Sequence, residues 1–287
     1  VLYEEPDTEP VGTGGAQGTG DDTPTQDGEP EPLTPANDGI SLLSTQENVS
    51  YIDPTDDSDQ NKICTSATEV TKDVTSWGND SNSGWYVVNS TLTISERVTV
   101  TGEVHLILAD GYTLTASQGI NVTGSNSLTI YGQAEGTGTL TADGGENSFL
   151  SQAGIGGGDD QSGGTITING GTVNATGVGY MGTAGAGIGG GGNGAGGKIT
   201  INGGTVTAKG GDVGGAGIGG GSDGGAGGEI TITGGTVNAT GSGSQYTSGG
   251  AGMGGGAGGD AGKITITGGS VTATGGSLSS SLSGAGI

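Results

Sequence analysis

The sequence predicts an all-β chain that folds as a right-handed parallel β-helix, a solenoid of stacked coils, behind a disordered acidic N-terminal segment. Three observations lead to this fold class. The second half of the chain repeats every 31 to 34 residues, glycine supplies 71 of 287 positions while aromatic residues make up 3%, and apolar residues occur in short alternating stretches. Repeats of this length indicate a solenoid, a propeller or a helical array, and alternation indicates strands.

Residues 1–60 form the predicted disordered linker, which is acidic and rich in Pro, Gly and Thr. All seven prolines and 15 of the 30 acidic residues lie there, and none of the six basic residues does. Such a segment repels itself and buries little apolar surface, so we expect it to stay solvated. An acidic interaction tail is the alternative. The net charge of −24 has the wrong sign for binding nucleic acid or an anionic membrane surface.

Residues 61–150 are predicted to form a cap and the first, irregular coils. From Trp85 onward the apolar stretches are short, β-branched and largely alternating, and Gly, Asn, Asp and Ser separate them. This pattern is typical of strands and turns, with no helical period. The predicted strands are Trp85–Val88, Leu92–Ile94, Val98–Val100, Val104–Leu108, Ile120–Val122 and Leu128–Ile130.

Residues 151–287 are predicted to form Gly-rich solenoid coils. The pattern Ile-Thr-Ile-(Asn/Thr)-Gly-Gly-(Thr/Ser)-Val-(Asn/Thr)-Ala begins at Ile166, Ile199, Ile230 and Ile264. Glycine and β-branched residues disfavour the helices of a helical repeat, and the units are too short for a four-stranded propeller blade. Each unit therefore fits one coil of a β-helix. A second motif, Ala-Gly-(Ile/Met)-Gly-Gly-Gly, begins again near Ile287, so we expect the solenoid to be truncated there.

Side-chain alternation divides each coil into an inner and an outer face. In the first full unit Ile166, Ile168, Val173 and Ala175 point one way, and Thr and Asn point the other way. The apolar set is predicted to line the interior, where equivalent residues of successive coils would stack about 4.8 Å apart. A single coil buries too little to stand alone, so neighbouring coils must stabilise one another.

Aromatic residues before the repeats are the candidates for stacking on a glycan. Two interpretations remain open: the rings bind sugar, or they cap the open end of the apolar column. The candidate residues are Trp77, Trp85, Tyr86, Tyr112 and Tyr131.

Acidic residues in the Gly-rich loops are secondary candidates for calcium ligands. Asp159, Asp160, Asp223 and Asp260 lie at similar places in successive units. Calcium requires six to eight oxygen ligands, and the chain lacks the spacing of the calcium-binding nonapeptide repeat. Solvated loop charges are the favoured interpretation, and no cofactor is predicted.

Outward Thr and Asn residues are predicted to form a flat ladder, of which Thr172, Asn174 and Thr176 form one rung. Regular Thr arrays resemble ice-binding solenoids, although Lys209 and the Asn residues interrupt this one.

Residues suited to catalysis are scarce. The repeats contain three Lys but no Arg and no His, and His105 has no evident partner. The sequence therefore predicts that the chain is not an enzyme.

Several segments carry a family resemblance: Gly84–Asn89, Val98–Gly111, Ser127–Gly132 and the Gly-Gly-Thr-Val-(Asn/Thr)-Ala units. They look like the glycine-rich surface proteins of Gram-positive gut bacteria, which are often labelled carbohydrate-binding domain proteins and resemble pectate-lyase-like β-helices. The resemblance implies secretion, display on the cell wall and a polysaccharide or host glycan as partner. It supplies no catalytic residue.

The predicted function is that of an extracellular, cell-surface structural or adhesin-like solenoid to which a glycan can bind. A dedicated carbohydrate-binding module of a surface protein is the first alternative, and an ice-binding Thr ladder is the more remote one. No apolar run approaches the length of a membrane-spanning helix.

Overall fold

A computed structural model of the chain describes residues 43–78, 84–145, 149–243, 248–277 and 283–287. These residues belong to one compact unit, Leu42–Ile287, and their regular structure consists of strands. Most of the linker predicted from the sequence, residues 1–42, lies outside the described residues.

Most of the strands form three sheets, and all strands are numbered in chain order. Sheet A contains β1 (Thr45–Ile52), β2 (Asn61–Glu69), β4 (Trp85–Val88), β7 (Glu103–Leu108), β10 (Ser127–Gly132), β13 (Thr165–Ile168), β18 (Lys198–Ile201), β21 (Glu229–Ile232) and β24 (Lys263–Ile266). Sheet B contains β3 (Ser76–Trp77), β6 (Val98–Val100), β9 (Ile120–Asn121), β12 (Ile155–Gly156), β17 (Ile188–Gly189), β20 (Ile218–Gly219) and β23 (Met253–Gly254).

Sheet C contains β5 (Leu92–Ile94), β8 (Thr113–Ala116), β11 (Thr139–Asp143), β14 (Thr172–Thr176), β19 (Thr205–Lys209), β22 (Thr236–Thr240) and β25 (Ser270–Thr274). A short hairpin, β15 (Gly179–Tyr180) with β16 (Thr183–Ala184), projects between sheets C and B. From β4 onward the chain visits sheets A, C and B in turn, and each strand pairs in parallel with its equivalent in the next coil. This winding is that of a parallel β-helix, as predicted.

The interior of the solenoid is the aliphatic column that the alternation predicted. Ile166, Ile199 and Ile230 are fully buried and occupy the same register position in β13, β18 and β21. Val173 and Val206 repeat this arrangement in sheet C. Because each coil presents the same side chains to its neighbours, the core is continuous along the stack.

Glycine in sheet B allows successive coils to approach closely. Gly189 has a φ of +135°, and a Cβ there would lie far inside the van der Waals distance of the carbonyl oxygen of Gly219 in the next coil. Gly156 and Gly219 stand in the same relation to the coils that follow them. Any side chain at this position would push the coils apart.

The predicted linker boundary at residue 60 is wrong, because strand β1 lies within the predicted linker. Strand β1 pairs with β2 as an antiparallel hairpin, with Ile52 opposite Asn61 and Thr45 opposite Thr68. The hairpin packs Val49 against the outer face of sheet A, where Val87 and Ile107 are fully buried. The early sheet A strands are apolar on both faces, and the hairpin shields the outer face from water.

The first coil is capped by large rings, as one interpretation of the aromatic residues predicted. Trp77 and Tyr86 are fully buried, and their ring centroids lie 5.6 Å apart with an interplanar angle of 27°. Val70 and Val74 pack in the same cluster. The indole Nε1 of Trp77 donates to the carbonyl oxygen of Val74 at 3.2 Å, so its polar group is satisfied inside the cap.

Candidate functional site

The five predicted glycan-stacking residues occupy different environments. Trp77 and Tyr86 cannot stack on a sugar, because both rings are enclosed in the apolar column. Tyr131 is only 7% exposed beneath the β1–β2 hairpin, so its ring offers no open face on which a sugar could stack. Tyr112, 41% exposed near the corner between sheets A and C, keeps an accessible side chain.

Trp85 belongs to an aromatic cluster on the outer face of sheet A. Its ring stacks on His105 with centroids 4.3 Å apart and also contacts Tyr131 at 5.5 Å. Tyr51, from strand β1, lies 5.0 Å from Trp85 and 4.7 Å from Tyr131. Packing of these rings against one another attaches the hairpin to the solenoid, and the half-buried Trp85 serves the fold rather than an open platform.

His105 has an acidic partner that sequence reasoning missed. Its Nε2 lies 3.4 Å from Oε1 of Glu103, two residues away on the same face of strand β7. The other ring nitrogen, Nδ1, is buried without a hydrogen-bond partner among the described residues. Burial lowers the pKa of His105 below its ordinary value, although Glu103 acts in the opposite direction. The neutral imidazole is therefore the form that the fold favours.

Acidification should weaken the fold through His105. Its contribution to stability is present above the unfolded-state pKa of about 6.5 and is lost as pH falls towards the lower folded-state pKa. We expect the free energy of unfolding to fall more steeply with acidification in the parent chain than in His105→Phe, which keeps a ring but cannot titrate. Chemical denaturation followed by tryptophan fluorescence at several pH values measures this. Identical pH profiles for the two proteins would contradict the assignment.

The calcium candidates are spread along the solenoid. Asp159 accepts a hydrogen bond from the backbone nitrogen of Ser151 at 3.2 Å, and Asp160 accepts one from Nδ2 of Asn193 at 2.6 Å. Asp223 and Asp260 are exposed. Over the described ranges, no three acidic, His or Cys side chains come together in a metal-binding group. The structure therefore does not bring these four carboxylates into one site.

The predicted polar ladder is present on the outer face of sheet C. Successive rungs pair in register, as in the row Thr141, Asn174, Thr207, Asn238 and Thr272. Along β19 and β22 the ladder residues are exposed while the alternate Val and Ala are buried. The ladder supplies hydroxyl and amide groups over a regular, solvated surface.

The end of sheet C borders a cavity that sequence reasoning did not single out. Its volume is about 370 Å³, and Asp143, Thr176, Val178 and Lys209 line it together with neighbouring glycines. Asp143, Thr176 and Lys209 are neighbours in one row of the ladder. Carboxylate, hydroxyl and ammonium groups thus lie side by side at one corner.

An exposed ring, Phe149, and a half-buried ring, Tyr180, lie a few residues along the chain from cavity residues. Phe149 is 76% exposed, and its ring meets Tyr180 of strand β15 edge to face, with centroids 5.3 Å apart. Tyr180 follows the cavity residue Val178 by two positions in the chain. The signals that could have found this corner were the only Phe in the chain and the length variation of the loop from Val178 to Thr183.

The comparison with protein families agrees with the coils seen in the structure. A family described as "Beta helix repeat" matches residues 135–159, 166–192, 199–222, 230–257 and 264–287. The second to fourth segments each begin in a sheet A strand and continue through sheets C and B, so one family repeat corresponds to one coil.

These findings define the class of the protein as a parallel β-solenoid. More particularly, the chain is a β-helix repeat protein. No curated protein and no solved structure matched it. Among the residues that the structure describes, there is no helix of the length and apolar character that crossing a membrane requires.

Proposed function

We propose that this chain is an extracellular, non-catalytic β-solenoid that serves as a structural, adhesin-like scaffold on a cell surface. The observation that carries the proposal is the uniform stacking of coils, each with a buried aliphatic interior and a solvated polar exterior. Such a stack extends a chain by about 4.8 Å per coil and keeps its outer face regular. The resemblance to glycine-rich surface proteins supports display on the cell wall.

The absence of catalysis is part of the proposal, and the environments of the basic side chains support it. Lys263 pairs with Glu229 at 2.9 Å, and Lys209 lies 3.4 Å from Asp212. The guanidinium of Arg97 donates to the carbonyl oxygens of Gln118 at 2.8 Å and Ala153 at 3.1 Å, and burial lowers its pKa to about 10. These cations hold strands and corners together, whereas cleavage of a glycan requires an acid or base positioned at the scissile bond.

Incubation of the full chain with pectin, mucin and plant or host glycans should release no product, with or without calcium. Reducing-end and unsaturated-uronate assays measure this, with a known pectate lyase as the positive control. Antibody labelling of unpermeabilised source cells should detect the protein. Release of oligosaccharides would contradict the non-catalytic part of the proposal, and labelling only after permeabilisation would contradict surface display.

A dedicated carbohydrate-binding module is the second candidate function. The specific observation in its favour is the exposed ring of Phe149, which meets the half-buried ring of Tyr180 edge to face. This function is compatible with a scaffold, because a glycan bound at one corner leaves the stacked coils unchanged. An ice-binding ladder is less well supported, because Asn174, Asn238 and Lys209 interrupt the Thr rows.

A further inference from the structure

We propose that the β1–β2 hairpin is an acid-released strap: protonation of His105, in the ring cluster on which the hairpin rests, frees the hairpin from the outer face of sheet A while the coils stay folded. The inference goes beyond the scaffold role and does not depend on it. It also differs from a general loss of stability in acid, because one element is expected to open and the others are not.

The hairpin packs through an apolar cluster of its own. That cluster joins Val49, Cys64 and Ala67 of the hairpin to Val87 and Ile107 on the outer face of sheet A. The aliphatic column inside the coils is a separate cluster with different members. Loss of the hairpin contacts therefore leaves the column intact, and an element with a separate set of contacts can open without the rest of the fold.

The two ends of the hairpin are attached to the coils differently. Strand β2 pairs with β4 at two register positions, Thr68 with Tyr86 and Glu69 with Val87, before the chain enters the coils. This end is suited to act as the hinge, because it is also joined covalently to the solenoid. Near the other end, Gln133 donates to the carbonyl oxygen of Ser50 at 2.9 Å, and this exposed bond can be exchanged for bonds to water at little cost.

His105 contacts the hairpin through two other rings. Its imidazole stacks on Trp85, with centroids 4.3 Å apart, and lies 6.0 Å from the ring of Tyr131. Tyr51 of strand β1 contacts both of these rings, at 5.0 and 4.7 Å. A rearrangement around the imidazole is therefore transmitted to the strand that covers the sheet.

Protonation of His105 creates a buried donor that has no acceptor. Its Nε2 lies 3.4 Å from Oε1 of Glu103, which fits the neutral tautomer with the proton on Nε2. The second proton must then be carried by Nδ1, which is buried and makes no hydrogen bond within the described ranges. A buried unpaired donor is costly unless water reaches it. Because β4 and β10 are fixed on either side of β7 in sheet A, the hairpin is the element whose opening admits water.

Several titratable groups surround His105 or lie on the hairpin. Glu103 favours the charged imidazole, but burial has the larger effect and lowers the pKa of His105. Burial raises the pKa values of Tyr51, Cys64 and Tyr131, so these groups are neutral in acid. Strands β4 and β10 carry no charged side chain. The charged residues of the hairpin are Glu47, Asp53, Asp56, Asp57, Asp59, Lys62 and Glu69.

The direction of the response follows from the two states of the imidazole. In the open hairpin His105 is hydrated, and its pKa returns towards the ordinary value of about 6.5. In the closed hairpin its pKa is lower, so the open state binds the proton more readily. Below about pH 6.5 acid therefore shifts the equilibrium towards the open hairpin.

Hydrogen exchange of the full chain, followed by mass spectrometry and corrected for the intrinsic exchange rate at each pH, tests the inference. Between about pH 7.5 and about pH 5 we expect the protection of strand β1 to fall about threefold or more, whereas strands β18 and β19 keep theirs. His105→Phe keeps a ring but cannot titrate, so its β1 should be equally protected at both pH values. Glu103→Gln keeps an acceptor for Nε2 but removes the charge that favours the imidazolium, so β1 should open more in acid than in the parent chain.

Four results would overturn the inference. Equal loss of protection in β1 and in β18 and β19 would indicate general unfolding in acid. Protection of β1 that does not change with pH would show that the hairpin stays closed. A fall in His105→Phe as large as in the parent chain would assign the response to another group. Less opening in Glu103→Gln than in the parent chain would contradict the role of the imidazolium charge.

Discussion

Replacement of Gly189 by alanine is expected to destabilise the solenoid by about 3 to 5 kcal/mol or to prevent folding. Two effects combine at this position. The φ of +135° is unfavourable for any residue with a Cβ, and the new Cβ would collide with the carbonyl oxygen of Gly219 in the next coil. The collision involves backbone on both sides, so no side-chain rotation can relieve it. Urea denaturation followed by circular dichroism measures the loss.

Gly182→Ala is the matched control for this prediction. Gly182 also has a positive φ, +103°, but a Cβ added there would meet no heavy atom within 4 Å beyond its chain neighbours. We expect this variant to lose only the conformational part, about 1 to 2 kcal/mol. Equal losses in Gly182→Ala and Gly189→Ala would mean that close approach of coils is not what sheet B requires of glycine.

The second large effect is expected for Ile201→Lys, which places an ammonium group inside the aliphatic column. Ile201 is fully buried, and its register neighbours Ile168 and Ile232 are fully buried as well. Among the described residues, no Asp or Glu side chain is buried and able to pair with the new charge. Burial of an unpaired charge costs several kcal/mol, so we expect a loss of about 4 kcal/mol or more, or misfolding.

Thr200→Lys separates burial of charge from a general intolerance of strand β18 for lysine. Thr200 lies on the outer face between Thr167 and Thr231, and Lys198 and Glu229 already occupy that face. We expect a change within about 0.5 kcal/mol in the same denaturation experiment. Comparable losses for Ile201→Lys and Thr200→Lys would show that the inner and outer faces have been assigned wrongly.

Both destabilising changes lie in interior coils, where their effects should spread. Gly189 is hydrogen-bonded into a stack with coils on either side, and Ile201 contacts equivalents in both neighbours. In a one-dimensional repeat protein, an interface lost on one side weakens the coils beyond it. We therefore expect the unfolding curve of each variant to show one cooperative transition that is shifted as a whole, without a small separate step.

Much of the repeat region could be predicted from sequence alone. The spacing of Ile166, Ile199 and Ile230 specified the coil length, and the alternation around them specified which side chains are buried. These are local properties, and repetition places every coil in the same environment. The regular Thr and Asn rows of sheet C followed from the same alternation.

The errors concern residues whose environment depends on distant parts of the chain. Tyr131 is buried because strand β1 crosses the outer face of sheet A, and Gln133 donates to the carbonyl oxygen of Ser50 across 83 positions of sequence. The acidic composition around β1 favoured a linker, although Val49 and Tyr51 supply its apolar contacts. The run Val104–Leu108, which is apolar except for His105, was the available sign that this strand is covered on both faces.

By itself, the sequence determined the β-helix class, the coil period, the aliphatic interior and the polar ladder, because each follows from periodic patterns that act over a few residues. Only the tertiary structure decided which aromatic rings reach the surface. Trp77 and Tyr86 are buried in the cap and Tyr131 is covered by the hairpin through contacts between segments distant in sequence, whereas Phe149 is exposed. The type of an aromatic residue is the same whether it is buried or exposed, and only the residues packed around it determine whether a ligand can reach its ring.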